Sequence, residues 1–231
     1  MIVEWLVEAD HAHFSHPATI YSSLTYPVPP KTAVMGMLAA LAGRSGYTEL
    51  NGMRYAVRIE KLEGKRRFSF NGIKEALREL DPKKTPGFHK GRKQFYRELL
   101  VGVRYRLFCD LRQVDERMRE EIASAMRAHK AYYPLYLGIN FCLADYRLCA
   151  IHERSTTQQN DEALVDTMVP LDTDFILEEG KRYTDVRMPT TVDEKRNFGG
   201  FRDYLIELEG KPILCRNVET QKVGECSVIW S

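Results

Sequence analysis

The sequence predicts an α+β fold: a ferredoxin-like or RRM-like domain interrupted by a long basic insertion and followed by a smaller β-rich lobe. Three observations lead there. Apolar and polar residues alternate at four places in the first 150 residues, two segments between them repeat apolar residues near the helical period, and together they run β-α-β-β-α-β. The boundaries expected are 1–150 for the first domain, with the insertion at about 64–100, and 151–231 for an acidic lobe.

Ile2 to Ala9 places Val3, Trp5, Val7 and Ala9 on one face and Glu4 and Glu8 on the other, the pattern of a half-buried strand. A polar, proline-rich loop runs on to Pro30. Thr32 is a candidate N-cap for a helix over Ala33–Ala42, with Val34, Leu38 and Leu41 on one face and Gly43 as the stop. Tyr55, Val57 and Ile59 mark a second strand ending toward Gly64, and Val103, Tyr105, Leu107 and Cys109 mark a third, alternating with Arg104 and Arg106. Asp115 opens a second helix whose stripe is Val114, Met118, Ile122 and Met126. Tyr146, Leu148 and Ala150 give a fourth strand. Beyond an acidic loop region, strands are expected at Phe201–Leu208, Pro212–Val218 and Ser227–Trp230.

Composition narrows the function. The stretch Met1 to Ala9 lacks the basic and apolar runs of a signal peptide, and the apolar run Ala33–Ala42 is too short to span a bilayer, so a cytoplasmic protein without a membrane partner is expected. Five cysteines stand singly with no C-x-x-C pair, which indicates neither a zinc cage nor a disulfide framework. No P-loop, H-E-x-x-H or Ser-His-Asp pattern is present, and no cofactor is expected.

The net charge of +2 conceals an uneven distribution. Residues 83–106 hold Lys83, Lys84, Lys90, Arg92, Lys93, Arg97, Arg104 and Arg106 against Glu98 alone, a local +7, while the rest of the chain sums to −5. Glycine and proline in Pro82–Arg97 argue against a helix and for an exposed loop or hairpin, and Phe88, Phe95 and Tyr96 lie among the cations. Rings that stack on bases beside cations that neutralise phosphates make a single-stranded nucleic-acid track; a solvated lysine-rich loop is the plainer alternative. His89 beside Lys90 offers parts of a metal-independent ribonuclease, a weak signal. The cluster His11, His13 and His16 is a polar loop that could contact RNA, with metal ligation the less favoured reading.

The stretch S-S-L-T-Y-P-V-P-P-K-T-A-V-M-G-M-L-A-A-L-A-G, Ser22 to Gly43, preceded by His13-Phe14, resembles the N-terminal signature of the fifth CRISPR-associated (Cas) family of the RAMP superfamily. Glu98–Leu107 and the Y-P-L-Y-L-G run, Tyr133 to Gly138, are weaker echoes of the same family. The resemblance implies an RRM-like RAMP domain with a thumb-like insertion. It implies a subunit of a type I Cascade surveillance complex that caps the 5′ repeat-derived handle of CRISPR RNA. The partners implied are the backbone and large subunits, with target DNA reached indirectly through the complex. The T-Y-P-V-P-P form is most similar to subtype I-B, where the subunit is non-catalytic; in subtype I-C the homologous subunit is an endoribonuclease, for which His89 and Lys90 are the candidates here. The RNA-binding residues expected are His13, His16, Tyr26, Lys31, Lys83, Lys84, His89, Lys90, Arg92, Lys93, Arg97, Arg104 and Arg106.

Overall fold

The alternation that opens the sequence forms β1 (Ile2–Ala12), three residues longer than the pattern indicated. The computed structural model describes residues 1–17, 19, 22–73 and 92–231. After β1 come α1 (Lys31–Leu41), β2 (Arg54–Ile73), β3 (Arg92–Asp110), α2 (Glu116–Arg127) and β4 (Asp145–His152). These four strands pair antiparallel in the order β2-β3-β1-β4.

One face of this sheet packs against both helices. Val3, Trp5 and Val7 share a core with Leu38 and Leu41 of α1 and with Met118, Ile122 and Met126 of α2. Trp5 is fully buried, packs edge-on against Tyr146 with ring centroids 6.4 Å apart, and donates from Nε1 to Cys109 Sγ at 3.5 Å. α2 starts where Asp115 predicts, because its carboxylate accepts from the Arg117 and Met118 amides. α1 starts one residue before the expected cap: Pro30 occupies the N-cap position without a side-chain hydrogen bond, and Thr32 is buried in the first turn. Gly43, at φ +72°, closes α1: its amide bonds Ala40 O while the Arg44 amide bonds Ala39 O.

The C-terminal third forms β5 (Thr156–Val165), β6 (Tyr183–Met188), β7 (Arg202–Glu207), β8 (Ile213–Val223) and β9 (Cys226–Val228). β8 pairs with β5, with β9 and with Phe175–Ile176, while β7 pairs with β6 and with Val169–Pro170. The acidic region expected to be loop thus contains β5 and β6 and several two-residue strands, among them Val169–Pro170 and Phe175–Ile176. β5 is mostly exposed and is held by its backbone ladder with β8, so side-chain pattern could not reveal it.

These strands share the core of the first 150 residues. Met168, Met188, Val192, Tyr204 and Ile206 belong to the same buried cluster as Trp5 and Leu38. Val223, Cys226 and Val228 cover Ile2, Ala56 and Phe108 on the other face of the main sheet. Ser231 and Tyr55 exchange both backbone hydrogen bonds, at 3.0 and 3.2 Å, so the last residue is paired to the edge of β2. Among the described residues no helix is long and apolar enough to cross a membrane.

Candidate nucleic-acid interface

β2 and β3 remain paired beyond the sheet. β1 stops accompanying β3 at the Ala12–Leu100 pair, yet the β2–β3 ladder continues from Lys65–Leu100 to Ile73–Arg92. The expected excursion at about 64–100 is therefore strand as far as Ile73 and again from Arg92. Ser22–Ser23 lies parallel to Tyr96–Arg97 at the base of this ribbon.

Strand alternation gives the ribbon two sides. On one, Phe68 and Phe70 stack at 6.4 Å, and Phe70 and Phe95 stack at 5.6 Å with their planes 23° apart. Arg97 places Cζ 5.3 Å from the Phe70 ring centroid, a cation–π contact. A Cβ on Gly72 would stand 2.7 Å from the Phe95 ring, so glycine there leaves room for that ring to lie across β2. Phe68 is 48 % exposed. The second side carries Arg67, Tyr96 and Glu98, which with Ser23, Leu24 and Arg97 line a cleft of about 180 Å³. The Arg97 Nε is buried without a hydrogen-bond partner among the described residues.

His13 holds the base of the ribbon together. Its Nδ1 donates to Glu98 O at 2.7 Å, and its Nε2 lies 2.9 Å from Ser23 Oγ and 3.0 Å from Ser15 Oγ. A carbonyl oxygen only accepts, so the proton sits on Nδ1 and Nε2 is the acceptor for a serine hydroxyl. Burial pushes the imidazole pKa down. The His13 carbonyl backs onto Gly138, whose φ is +87° and where a Cβ would be driven into that oxygen. The His13 amide in turn bonds Leu137 O at 3.0 Å. This is why the Y-P-L-Y-L-G turn ends in glycine.

Several residues expected to touch RNA do other work. His13 is fully buried and ties three segments together. Tyr26 is only 2 % exposed; its hydroxyl donates to Arg187 O at 2.8 Å, and burial raises its pKa. It is a core residue rather than an open stacking platform, and His16 packs on it with ring centroids 4.8 Å apart. Lys31 is buried at the start of α1, its Nζ donating to Asn51 O at 2.8 Å, and desolvation lowers its pKa. Arg104 and Arg106 share a face of the sheet with the glutamates of β1. Arg104 Nε bonds Glu8 Oε2 at 2.6 Å, and Arg106 bridges Glu4 and Glu60 at 2.6 Å each. Burial works against the Arg106 charge, but those two hydrogen bonds more than reverse it and its pKa is raised. These two cations face carboxylates within the fold rather than a phosphate track.

Arg97 is the expected residue that the structure places at the ribbon's aromatic side and at its cleft. Arg92 and Lys93 open β3 opposite Ile73 and Gly72. Lys83, Lys84, His89 and Lys90 lie outside the described residues. The ribbon also carries Lys65, Arg66, Arg67, Phe68 and Phe70, which lie in the expected insertion but are not among the RNA-binding residues expected from the sequence. Their signal was present in K-R-R-F-S-F, where Phe68 and Phe70 fall two apart and so on one side of a strand. Among the described residues no group of three or more histidine, cysteine or carboxylate side chains is placed to hold a metal ion.

The fold is found in solved structures. A chain of a "CRISPR RNA-guided surveillance complex" superposes with a TM-score of 0.61 at 15 % identity, covering 92 % of this chain and 90 % of that one. A "Cas protein" crystal structure gives 0.56 at 14 % identity, covering 91 % and 96 %. A CRISPR protein from Archaeoglobus fulgidus gives 0.50 at 14 % identity, covering 99 % and 98 %. No curated protein matches the sequence. The family model described as "CRISPR-associated protein (Cas_Cas5)" matches residues 2–202, and the chain therefore belongs to the fifth family of CRISPR-associated (Cas) proteins.

Proposed function

We propose that this protein is a non-catalytic CRISPR RNA-binding subunit of a type I Cascade complex, most like subtype I-B, working in the cytoplasm. In this reading it caps the 5′ repeat-derived handle and abuts the backbone and large subunits, so that it meets target DNA only through the assembled complex. The observation that carries the reading is the β2–β3 ribbon. It presents stacked rings at Phe68, Phe70 and Phe95 with Arg97 over Phe70, and a cleft with Arg67 and Tyr96 behind them. Rings offer π-faces to bases of any kind and guanidiniums neutralise the phosphates between them, the combination that single-stranded nucleic acids need. The sheet order β2-β3-β1-β4 with two helices on one face supports a ferredoxin-like RAMP domain with the ribbon as its thumb, followed by a smaller β-rich lobe.

Incubating the purified chain with labelled single-stranded repeat RNA in EDTA tests this. Intact RNA retained in a complex that weakens as salt rises is the expected result. Specific cleavage products would instead support the ribonuclease reading with His89 and Lys90, and an absence of binding at low salt would refute both.

A further inference from the structure

A carboxylate is out of place in a surface meant only for phosphates, yet Glu98 lines the cleft beside Arg67 and Arg97. Its position is fixed from two directions. The backbone carbonyl accepts from His13 Nδ1 at 2.7 Å, and Oε2 accepts from the Thr25 amide at 3.2 Å with Lys65 Nζ 3.6 Å away. The remaining surroundings suit a planar ring: Tyr96 is 50 % exposed and Leu24 is 42 % exposed at the same opening. At about 180 Å³ the cleft is smaller than the roughly 300–1,000 Å³ pockets that enclose a drug-sized ligand, which matches one base rather than a whole nucleotide.

We propose that this cleft receives a single base of the bound RNA strand and that Glu98 is its specificity-determining residue, accepting a hydrogen bond from an exocyclic amino group on the base edge. The inference rests on the RNA-binding reading above and assigns that site a preference. A carboxylate accepts from the amino groups of cytosine, adenine or guanine, whereas uracil has no amino group and offers only an N3–H flanked by two carbonyl oxygens that repel the carboxylate. Arg67 supplies charge to the backbone whatever the base, so affinity and preference reside in different side chains.

The probes are an all-uridine octanucleotide and three derivatives with one adenosine, cytidine or guanosine at the centre. The wild-type chain binds at least one amino-bearing probe about tenfold more tightly than the all-uridine probe. Glu98→Gln, which keeps the side-chain shape and an acceptor for the Thr25 amide, brings the four affinities to within about twofold, since an amide both donates and accepts. Arg67→Ala weakens all four alike. Deleting the exocyclic amino group from the preferred base gives the same loss of preference without altering the protein, so the test survives a variant that fails to fold. A wild-type chain that binds all four equally, or a preference that persists in folded Glu98→Gln or on amino deletion, overturns the inference while leaving RNA binding intact. Failure of the wild-type chain to bind any probe overturns the RNA-binding reading itself.

Discussion

His13 and Glu98 are 85 residues apart in sequence, yet the imidazole Nδ1–H of one meets the backbone carbonyl of the other at 2.7 Å. The bond joins the end of β1 to the base of the ribbon and favours the protonated ring, but burial outweighs it and keeps the imidazole neutral. Burial lowers the folded-state pKa below the ordinary value of 6.5, so the unfolded chain binds the proton more readily. This contribution to stability is complete above about pH 6.5 and declines as the pH falls below that value. Urea midpoints measured from pH 7.5 to 5 should fall more steeply for the wild type than for His13→Asn. Parallel profiles would mean that His13 does not titrate in the folded protein in this way.

Trp5 anchors the helix-covered face of the main sheet. It is fully buried, stacks edge-on against Tyr146 and reaches Cys109. Trp5→Ala should cost about 3–5 kcal/mol, because it leaves a cavity in the core that the sheet shares with both helices. Thermal melting measures this, and a negligible shift would contradict the packing described.

Tyr26 separates a structural from a recognition role. Tyr26→Phe removes the hydroxyl that donates to Arg187 O while keeping the ring. A loss of about 1 kcal/mol in stability is expected, with RNA affinity unchanged. A variant of wild-type stability with weakened RNA binding would return Tyr26 to the binding surface.

Asp110 gives the opposite end of the sheet a charge dependence. Burial would raise its pKa, but hydrogen bonds from Arg112 and Arg54 hold it at about 2. Its folded value lies below the unfolded one, so its stabilisation is present above about pH 4 and is lost as the pH falls toward 2. Asp110→Asn should therefore lower stability by about 2 kcal/mol at neutral pH. The gap between variant and wild type, followed by urea unfolding at pH 7, 4 and 2.5, should narrow only between the last two. A gap constant across that range would show that the carboxylate charge contributes nothing.

Where side chains alternate between core and solvent, the sequence showed the structure. Val3, Trp5 and Val7 revealed β1, Met118, Ile122 and Met126 revealed α2, and Asp115 revealed where that helix starts. β5 was hidden because the polar run Thr156–Asn160 is held by backbone pairing to β8. The ribbon was half hidden for the same reason: Lys65–Phe70 looks polar because neither side of it enters a core. At the candidate site, residue type alone could not distinguish Arg97, which lies against a ring in the ribbon, from Arg104 and Arg106. The register with β1 decides that, by setting Arg104 opposite Glu8 and bringing Arg106 within reach of Glu4. Tyr26 and Lys31 sit in a proline-rich segment that reads as loop, and only tertiary contact with Arg187 and Asn51 buries them.

If the β2–β3 ribbon tracks the phosphates of a single RNA strand, as proposed, its arginines set how RNA binding responds to salt. The most direct test is the salt dependence of RNA affinity, measured by fluorescence anisotropy for the wild type and for a variant with Arg66, Arg67 and Arg97 replaced by alanine. Each phosphate contact removed should reduce the slope of log K against log salt by about 0.7, so the triple variant should bind more weakly with a slope shallower by about 2. A folded triple variant with an unchanged slope would mean that the ribbon's arginines do not meet the phosphates.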